Sequence, residues 1–205
     1  MVRMASVYDL KPRFVALLRP VAARLAAHGV SANAVTLAAM LASILVGIVL
    51  AMWPDCLRLW FILPVFLFLR MAANAIDGIL AREHGMKSRL GAILNEVGDV
   101  VSDTALYLPF ILLAGVNGFW VMLAVIIAII GEMVGILGQV VGSSRRYDGP
   151  MGKSDRAAVF GLIGFLIGIG VPVAGWINWA MAAIALLGLV TLLNRARKTL
   201  AETPK

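Results

Sequence analysis

Asp77, Asp99, Asn74 and Asn95 are the residues of this sequence whose types and spacing best suit chemistry. Arg70, Asn74, Asp77 and Ala81 recur at intervals of four, three and four, so on a helix they share one face. Gly91, Asn95, Asp99 and Asp103 recur at intervals of four and share a slowly drifting face of a second helix. The segment between, Arg82 to Leu90, is short, so the two faces can oppose each other. Two carboxylates and two carboxamides then converge, edged by Arg82, Lys87 and Arg89. Such oxygen donors suit a hard cation, because Mg²⁺ is typically held by one or two carboxylates while phosphates and waters complete its shell. Gly78, Ala81 and Gly91 leave space beside the carboxylates for a bulky ligand. The pattern predicts a metal together with a phosphorylated ligand. The purely structural alternative is buried Arg–Asp pairing, such as Arg70 with Asp77.

The elements that must carry these residues are membrane helices. Of 205 residues, 61% are hydrophobic and 14% charged, against about 45–50% and about 25% in soluble domains. That excludes a water-soluble globular protein, a disordered chain, a fibrous repeat and a disulfide scaffold. Six apolar stretches lie near 34–52, 57–81, 91–114, 119–141, 157–172 and 175–193, each near the roughly 20 residues a span requires. Residues 9–28 are amphipathic, with Lys11, Arg13, Arg19 and Arg24 interrupting Phe14, Leu17, Leu18 and Val21. They suit a helix in the plane of the membrane surface, with Pro20 a point of break or kink. The fold class expected is all-α: a polytopic membrane protein with six transmembrane helices and an N-terminal interfacial helix. Its organisation is a cytoplasmic segment over 1–33, a six-helix domain over 34–195 and a cytoplasmic tail over 196–205. No apolar run with a small-residue cleavage site follows Met1, so no cleaved signal peptide is expected.

Charge sets the orientation. The net charge is +7, and sixteen of the 18 Lys and Arg fall in segments that six spans place on one side, from Arg3 before the first span to Lys205 after the last. Arg58 falls on the other side and Arg70 within a span. The positive-inside rule then places both termini and the site on the cytoplasmic side of the membrane. The basic residues track topology, so no nucleic-acid role is expected. Gly131, Gly135, Gly138 and Gly142, and again Gly161, Gly164 and Gly168, form small-residue stripes suited to close helix packing, within the chain or in a dimer. Lys153, Arg156 and Arg145, beside the fifth span, suit either a ligand phosphate or lipid headgroups. Glu132 suits a hydrogen bond to a ligand hydroxyl or a helix pair, Cys56 is read as a small apolar residue, and His28 and His84 are read as loop residues.

The stretch NAIDGILAREHGMKSRLGAILNEVGD, Asn74 to Asp99, resembles the signature of the CDP-alcohol phosphotransferase family, D-x2-D-G-x2-A-R-x8-G-x3-D-x3-D. The spacing matches without insertion. SANAVT, Ser31 to Thr36, resembles the family's P-N-x-x-T entry to the first span, with Ala32 in place of proline. Within the family the chain resembles a YnbA-like subgroup of bacterial inner-membrane proteins. The resemblance implies transfer of a phosphatidyl group from CDP-diacylglycerol to a polar alcohol, releasing CMP, with Mg²⁺ or Mn²⁺ as cofactor and a homodimer as the assembly. Carried across by position, Asp77, Asn74, Asn95 and Asp99 would be metal ligands, with Asp99 also the catalytic base. Gly78, Ala81, Arg82, Gly91, Asn33 and Thr36 would border the nucleotide and its phosphates. Two signature aspartates are Asn74 and Asn95 here, lowering the motif's formal charge from −4 to −2. A single-metal enzyme, an unusual reaction and a CDP-lipid-binding accessory protein without turnover are the alternatives that change leaves open. A transporter reading fails on the outer halves of the spans, which hold few ionisable groups.

Overall fold

A computed structural model of the chain describes residues 7–202, with side chains from residue 13. Arg3, Lys205, the Lys11 side chain and the ends of the two terminal segments lie outside the described residues. Seven helices follow one another: α1 (Val7–Ala27), α2 (Ala32–Met52), α3 (Ile62–Glu83), α4 (Arg89–Tyr107), α5 (Gly118–Val140), α6 (Lys153–Gly168) and α7 (Ile177–Glu202). Short 3₁₀ turns, Leu57–Phe61 and Leu108–Leu112, precede α3 and follow α4. The described residues contain no strand.

Each apolar stretch found in the sequence corresponds to a helix. Four helical segments are long and apolar enough to cross a membrane: Ala32–Met52, Leu57–Glu83, Gly118–Val140 and Ile177–Glu202. The other two fall short for visible reasons. Helix α4 carries Glu96, Asp99 and Asp103 along its length, and α6 has 16 residues and opens on Lys153, Asp155 and Arg156.

Local chemistry sets the helix ends. Gly29 adopts φ +76°, a left-handed backbone that stops α1. The Ser31 hydroxyl accepts from Ala34 N at 3.1 Å and caps α2. Ser88 does the same for α4, accepting from Gly91 N at 2.9 Å. Asn117 caps α5, accepting from Phe119 N at 3.0 Å. Pro20 does not interrupt α1, which runs as one helix over Val7–Ala27.

The chain forms two compact units: residues 1–41 with 69–99, and residues 42–68 with 100–205. In the first, Ala22 of α1 packs against Ile79 and Leu80 of α3, with Val15, Leu18 and Ala26 around it. Arg13, Arg19 and Arg24 stay exposed, and Arg19 Nε meets Glu83 at 3.1 Å. In the second, Trp60, Tyr107, Phe110 and Phe160 form an aromatic core, with Tyr107 stacked on Phe160 at 3.8 Å between ring centroids and Trp60 edge-on to Phe110 at 4.6 Å.

The glycine stripes serve packing inside this second unit. A Cβ at Gly164 would stand 3.0 Å from Leu63, and one at Gly168 2.9 Å from Phe61. At Gly135 it would stand 2.8 Å from the Arg146 carbonyl, and at Gly138 2.8 Å from that of Ser144. The bare face of α5 therefore lets the chain after α5 fold back across it.

Candidate active site

Helix α3 carries Arg70, Asn74, Asp77, Gly78, Ala81 and Arg82, and α4 carries Gly91, Asn95 and Asp99. All stand in the first unit, with Asn33 and Thr36 from the start of α2. Asp77 is buried, and its Oδ2 accepts from the Thr36 hydroxyl at 2.8 Å. A neutral donor on a buried carboxylate offsets part of its desolvation without consuming its charge. Thr36 of the SANAVT segment is thereby tied to the second signature position.

Arg70 is 4% exposed. Its Nη2 donates to the Asp99 carbonyl oxygen at 3.1 Å and stands 3.5 Å from Asp99 Oδ1. The structure pairs Arg70 with Asp99. One guanidinium thus fixes the backbone and the carboxylate of the residue placed as base.

Asn74 and Asn95 are half-buried. Asn74 Nδ2 is buried and has no hydrogen-bond partner, a condition that costs about 1–3 kcal/mol. An amide donor in that state fits an acceptor brought by a ligand, such as a phosphate oxygen. The glycines allow close approach. A Cβ at Gly78 would stand 2.9 Å from Arg82 Nη2, so the Arg82 side chain folds back across that glycine. A Cβ at Gly91 would stand 2.6 Å from Asn33 Oδ1, while Asn33 Nδ2 reaches Ser88 Oγ at 3.4 Å.

Among the described residues, no group of three or more His, Cys, Asp or Glu side chains is placed to hold a metal ion. Asparagine at 74 and 95 accounts for this within the signature, which retains Asp77 and Asp99 as its carboxylates. Two carboxylates and two amide carbonyls still fit one hard cation whose shell phosphate and water complete. Against two such ions, the set supplies two negative charges where four aspartates would supply four, and Arg70 already engages Asp99.

The remaining sequence candidates, Arg145, Lys153 and Arg156, stand in the second unit, as do Asp103 and Glu132. Lys153 and Arg145 are half-buried. Arg156 is buried and donates to Asp103 Oδ2 through Nε at 3.1 Å and Nη2 at 2.9 Å, and from Nη2 to Glu132 Oε1 at 2.9 Å. Asp103 is therefore engaged with Arg156. His28 Nδ1 lies 2.7 Å from the Arg24 carbonyl, His84 is exposed, and Cys56 is a free, exposed thiol.

Arg195 was missed. Counted from sequence only among the basic residues after the last span, it is 2% exposed, donates from Nη1 to the Gly131 carbonyl at 2.6 Å and stands 3.4 Å from Glu132. A signal existed: Thr191, Arg195 and Thr199 recur every four residues and mark a polar stripe on α7. Asp148 was missed too. Its carboxylate meets Lys198 Nζ at 2.5 Å and Arg146 Nη2 at 2.9 Å. The hydrogen bond from Lys198, helped by Arg146, holds it below the usual carboxylate range.

A helical membrane fold with an oxygen-donor site, bordered by glycines and a signature arginine, defines a class of lipid-modifying proteins. Residues 29–191 match the CDP-alcohol phosphatidyltransferase family, and the chain belongs to it. It is 47% identical to the inner membrane protein YnbA of Escherichia coli strain K12, over 95% of this chain and 96% of that one. It is 29% identical to the phosphatidylinositol phosphate synthase of Mycolicibacterium smegmatis, over 94% and 88%. The fold matches crystal structures of Mycobacterium tuberculosis phosphatidylinositol phosphate synthase. The one with CDP-DAG bound gives a TM-score of 0.70 at 19% identity, covering 89% of this chain and 92% of that one. The one with manganese and citrate gives 0.70 at 20% identity, covering 89% and 88%.

Proposed function

We propose that this chain transfers the phosphatidyl group of CDP-diacylglycerol to an alcohol and releases CMP. The observation that carries the reading is the pairing of Asp77 and Asp99 with the unpartnered amide of Asn74 in one unit, beside Gly78, Arg82 and Gly91. Asp77, Asp99 and the carbonyls of Asn74 and Asn95 would hold one Mg²⁺ or Mn²⁺. When bound, that ion supplies positive charge against the donor's diphosphate. The Asn74 amide and the Arg82 guanidinium would donate to phosphate oxygens. Gly78, Ala81, Gly91, Asn33 and Thr36 would border the nucleotide.

Asp99, its backbone fixed by Arg70, would take the proton of the acceptor hydroxyl. The hydroxyl oxygen forms a bond to the lipid-side phosphorus. The bond from that phosphorus to the bridging oxygen breaks, and CMP departs with the electron pair. Lys153, Arg156 and Arg145 are assigned to the acceptor side. The chain is placed in the inner membrane with six spans, both termini and the site cytoplasmic, as a homodimer. Its organisation remains a segment over 1–33, the membrane domain over 34–195 and a tail over 196–205. On this view α4 and α6 cross with their charged residues turned to protein rather than lipid.

The test is CMP release from CDP-diacylglycerol by the purified protein, with Mg²⁺ or Mn²⁺ and a panel of alcohols. Release that depends on metal and acceptor, and that Asp99→Asn abolishes, is the expected result. Saturable CDP-lipid binding with no release from any acceptor would show instead an accessory protein in which Asn74 and Asn95 ended turnover.

A further inference from the structure

Glu202, the last residue of α7, is held by the segment that follows α5. Gly142 sets the course of that segment. It adopts φ +84°, and Ser143 N donates to the Gly138 carbonyl at 2.8 Å, a turn that closes α5 and redirects the chain. Ser143, Ser144 and Arg146 then reach the end of α7, and four donors meet a single oxygen, Glu202 Oε2. They are the Ser143 hydroxyl at 2.6 Å, the Ser144 hydroxyl at 2.9 Å, the Ser144 backbone N–H at 3.3 Å and Arg146 Nη1 at 2.6 Å. Hydroxyls, a backbone N–H and a guanidinium gathered on one point form a binding place for an oxyanion.

We propose that Ser143, Ser144 and Arg146 form a site for the phosphate of a bilayer lipid headgroup, which displaces the Glu202 carboxylate. The site lies wholly within the second unit. It uses none of the residues assigned to the donor, the metal or the acceptor, and it does not depend on the transferase reading.

Four observations support it. The donors outnumber what the carboxylate oxygen accepts well, since one such oxygen offers about two lone-pair sites. The two non-bridging oxygens of a phosphodiester would share the same four donors evenly. Charge agrees. Arg146 and Lys198 balance Asp148 and Glu202 in this cluster. Withdrawing Glu202 leaves one positive charge, which matches the single negative charge of a phosphodiester. Depth agrees as well. Gly118–Val140 and Ile177–Glu202 are both long and apolar enough to cross a membrane. The site lies just beyond the end of the first and at the end of the second, where headgroups stand. Finally, Val140 and Val141 next to the serines, and Leu200 next to Glu202 along α7, are exposed. Apolar side chains flanking phosphate donors suit the acyl chains of a lipid and offer nothing to a free phosphate.

The experiment uses the full-length protein in detergent and calorimetry with dioctanoyl phosphatidylglycerol. Saturable binding is expected for the native chain. Glu202→Ala removes the resident carboxylate from an exposed helix end and is expected to tighten binding by roughly tenfold. Adding Ser143→Ala and Ser144→Ala is expected to undo that gain, and Arg146→Ala to abolish binding. The serine variants keep the Arg146–Asp148 pair, so they decide the matter even if Arg146→Ala does not fold. Lipid binding that Glu202→Ala and the serine changes leave unaltered belongs elsewhere in the chain and overturns the proposal, as does an absence of binding in both the native chain and Glu202→Ala. Inorganic phosphate and dioctanoyl phosphatidylcholine separate the sources. Both are expected to bind at least roughly tenfold more weakly, phosphate for want of acyl chains and phosphatidylcholine because its cation meets Arg146 and Lys198. Inorganic phosphate binding Glu202→Ala as tightly as the lipid does would overturn the lipid assignment.

Discussion

At the residue scale the site is defined by what its asparagines lack. Asn74 and Asn95 keep an oxygen where an aspartate would stand but surrender its charge, so on the proposed reading the signature would hold one divalent ion rather than two. Restoring both, Asn74→Asp with Asn95→Asp, is expected to raise Mn²⁺ stoichiometry from one per chain to two, read by electron paramagnetic resonance. A second ion already bound by the native chain would contradict the assignment. Thr36 makes a separate case. Its hydroxyl donates to buried Asp77 at 2.8 Å, and Thr36→Val keeps the shape while removing the donor. The expected loss is about 1–3 kcal/mol of stability, seen as a lower melting temperature that saturating Mn²⁺ partly restores, because the ion then satisfies the same oxygen.

Helices and their connections obey packing rules that separate glycines on one face. Gly131 and Gly135 both lie on α5, yet a Cβ at Gly131 meets nothing within 4 Å and one at Gly135 stands 2.8 Å from a backbone carbonyl. Gly131→Ala is therefore expected to unfold within a degree or two of the native protein, and Gly135→Ala to lose about 1–3 kcal/mol, both read by thermal unfolding in detergent. Asp148 closes the same connection against α7 through Lys198 and Arg146. Its folded pKa is depressed, so its contribution to stability is present above the unfolded value near 3.9 and is lost as pH falls through the lower folded value. Asp148→Asn is expected to flatten that acid limb of the melting-temperature profile. These elements were unequally legible in the sequence. The helices followed from apolar runs, and the α3 and α4 faces from spacing alone, because helical period is a local property. Arg156 and Arg195 were not legible as buried partners. A tally of Lys and Arg treats each as a headgroup charge, and their carboxylates lie far along the chain, Glu132 being joined to Arg195 only through folding. The reach of α1 through Pro20 was hidden for the same reason, since packing of Ala22 on α3 outweighs the local propensity.

For the whole molecule the decisive question is how many times the chain crosses the membrane, and the two counts place one loop on opposite sides. With six spans, α4 and α6 cross, and the segment joining α5 to α6 is cytoplasmic with its Arg145, Arg146, Lys153 and Arg156. With only the four most apolar helices crossing, the same segment faces the other side, carrying four basic residues against the positive-inside rule. The lone thiol supplies the probe. Cys56 is exposed in the connection between α2 and α3, which both counts place opposite the N-terminus, so a membrane-impermeant maleimide should label it from outside intact spheroplasts. In a Cys56→Ser background, Ser154→Cys introduces a thiol at an exposed position near the start of α6. Six spans require that this thiol stay unlabelled in spheroplasts and become labelled only after permeabilisation. Labelling from outside would reduce the count to four and move Arg145 and Arg156, proposed for the acceptor, away from the cytoplasmic face. Protection of Cys56 in spheroplasts, with labelling on permeabilisation, would invert the orientation altogether. Only the first outcome puts Lys153, Arg156 and Arg145 on the side proposed for Asp77, Asp99 and CMP release, as the proposed acceptor role of those basic residues demands.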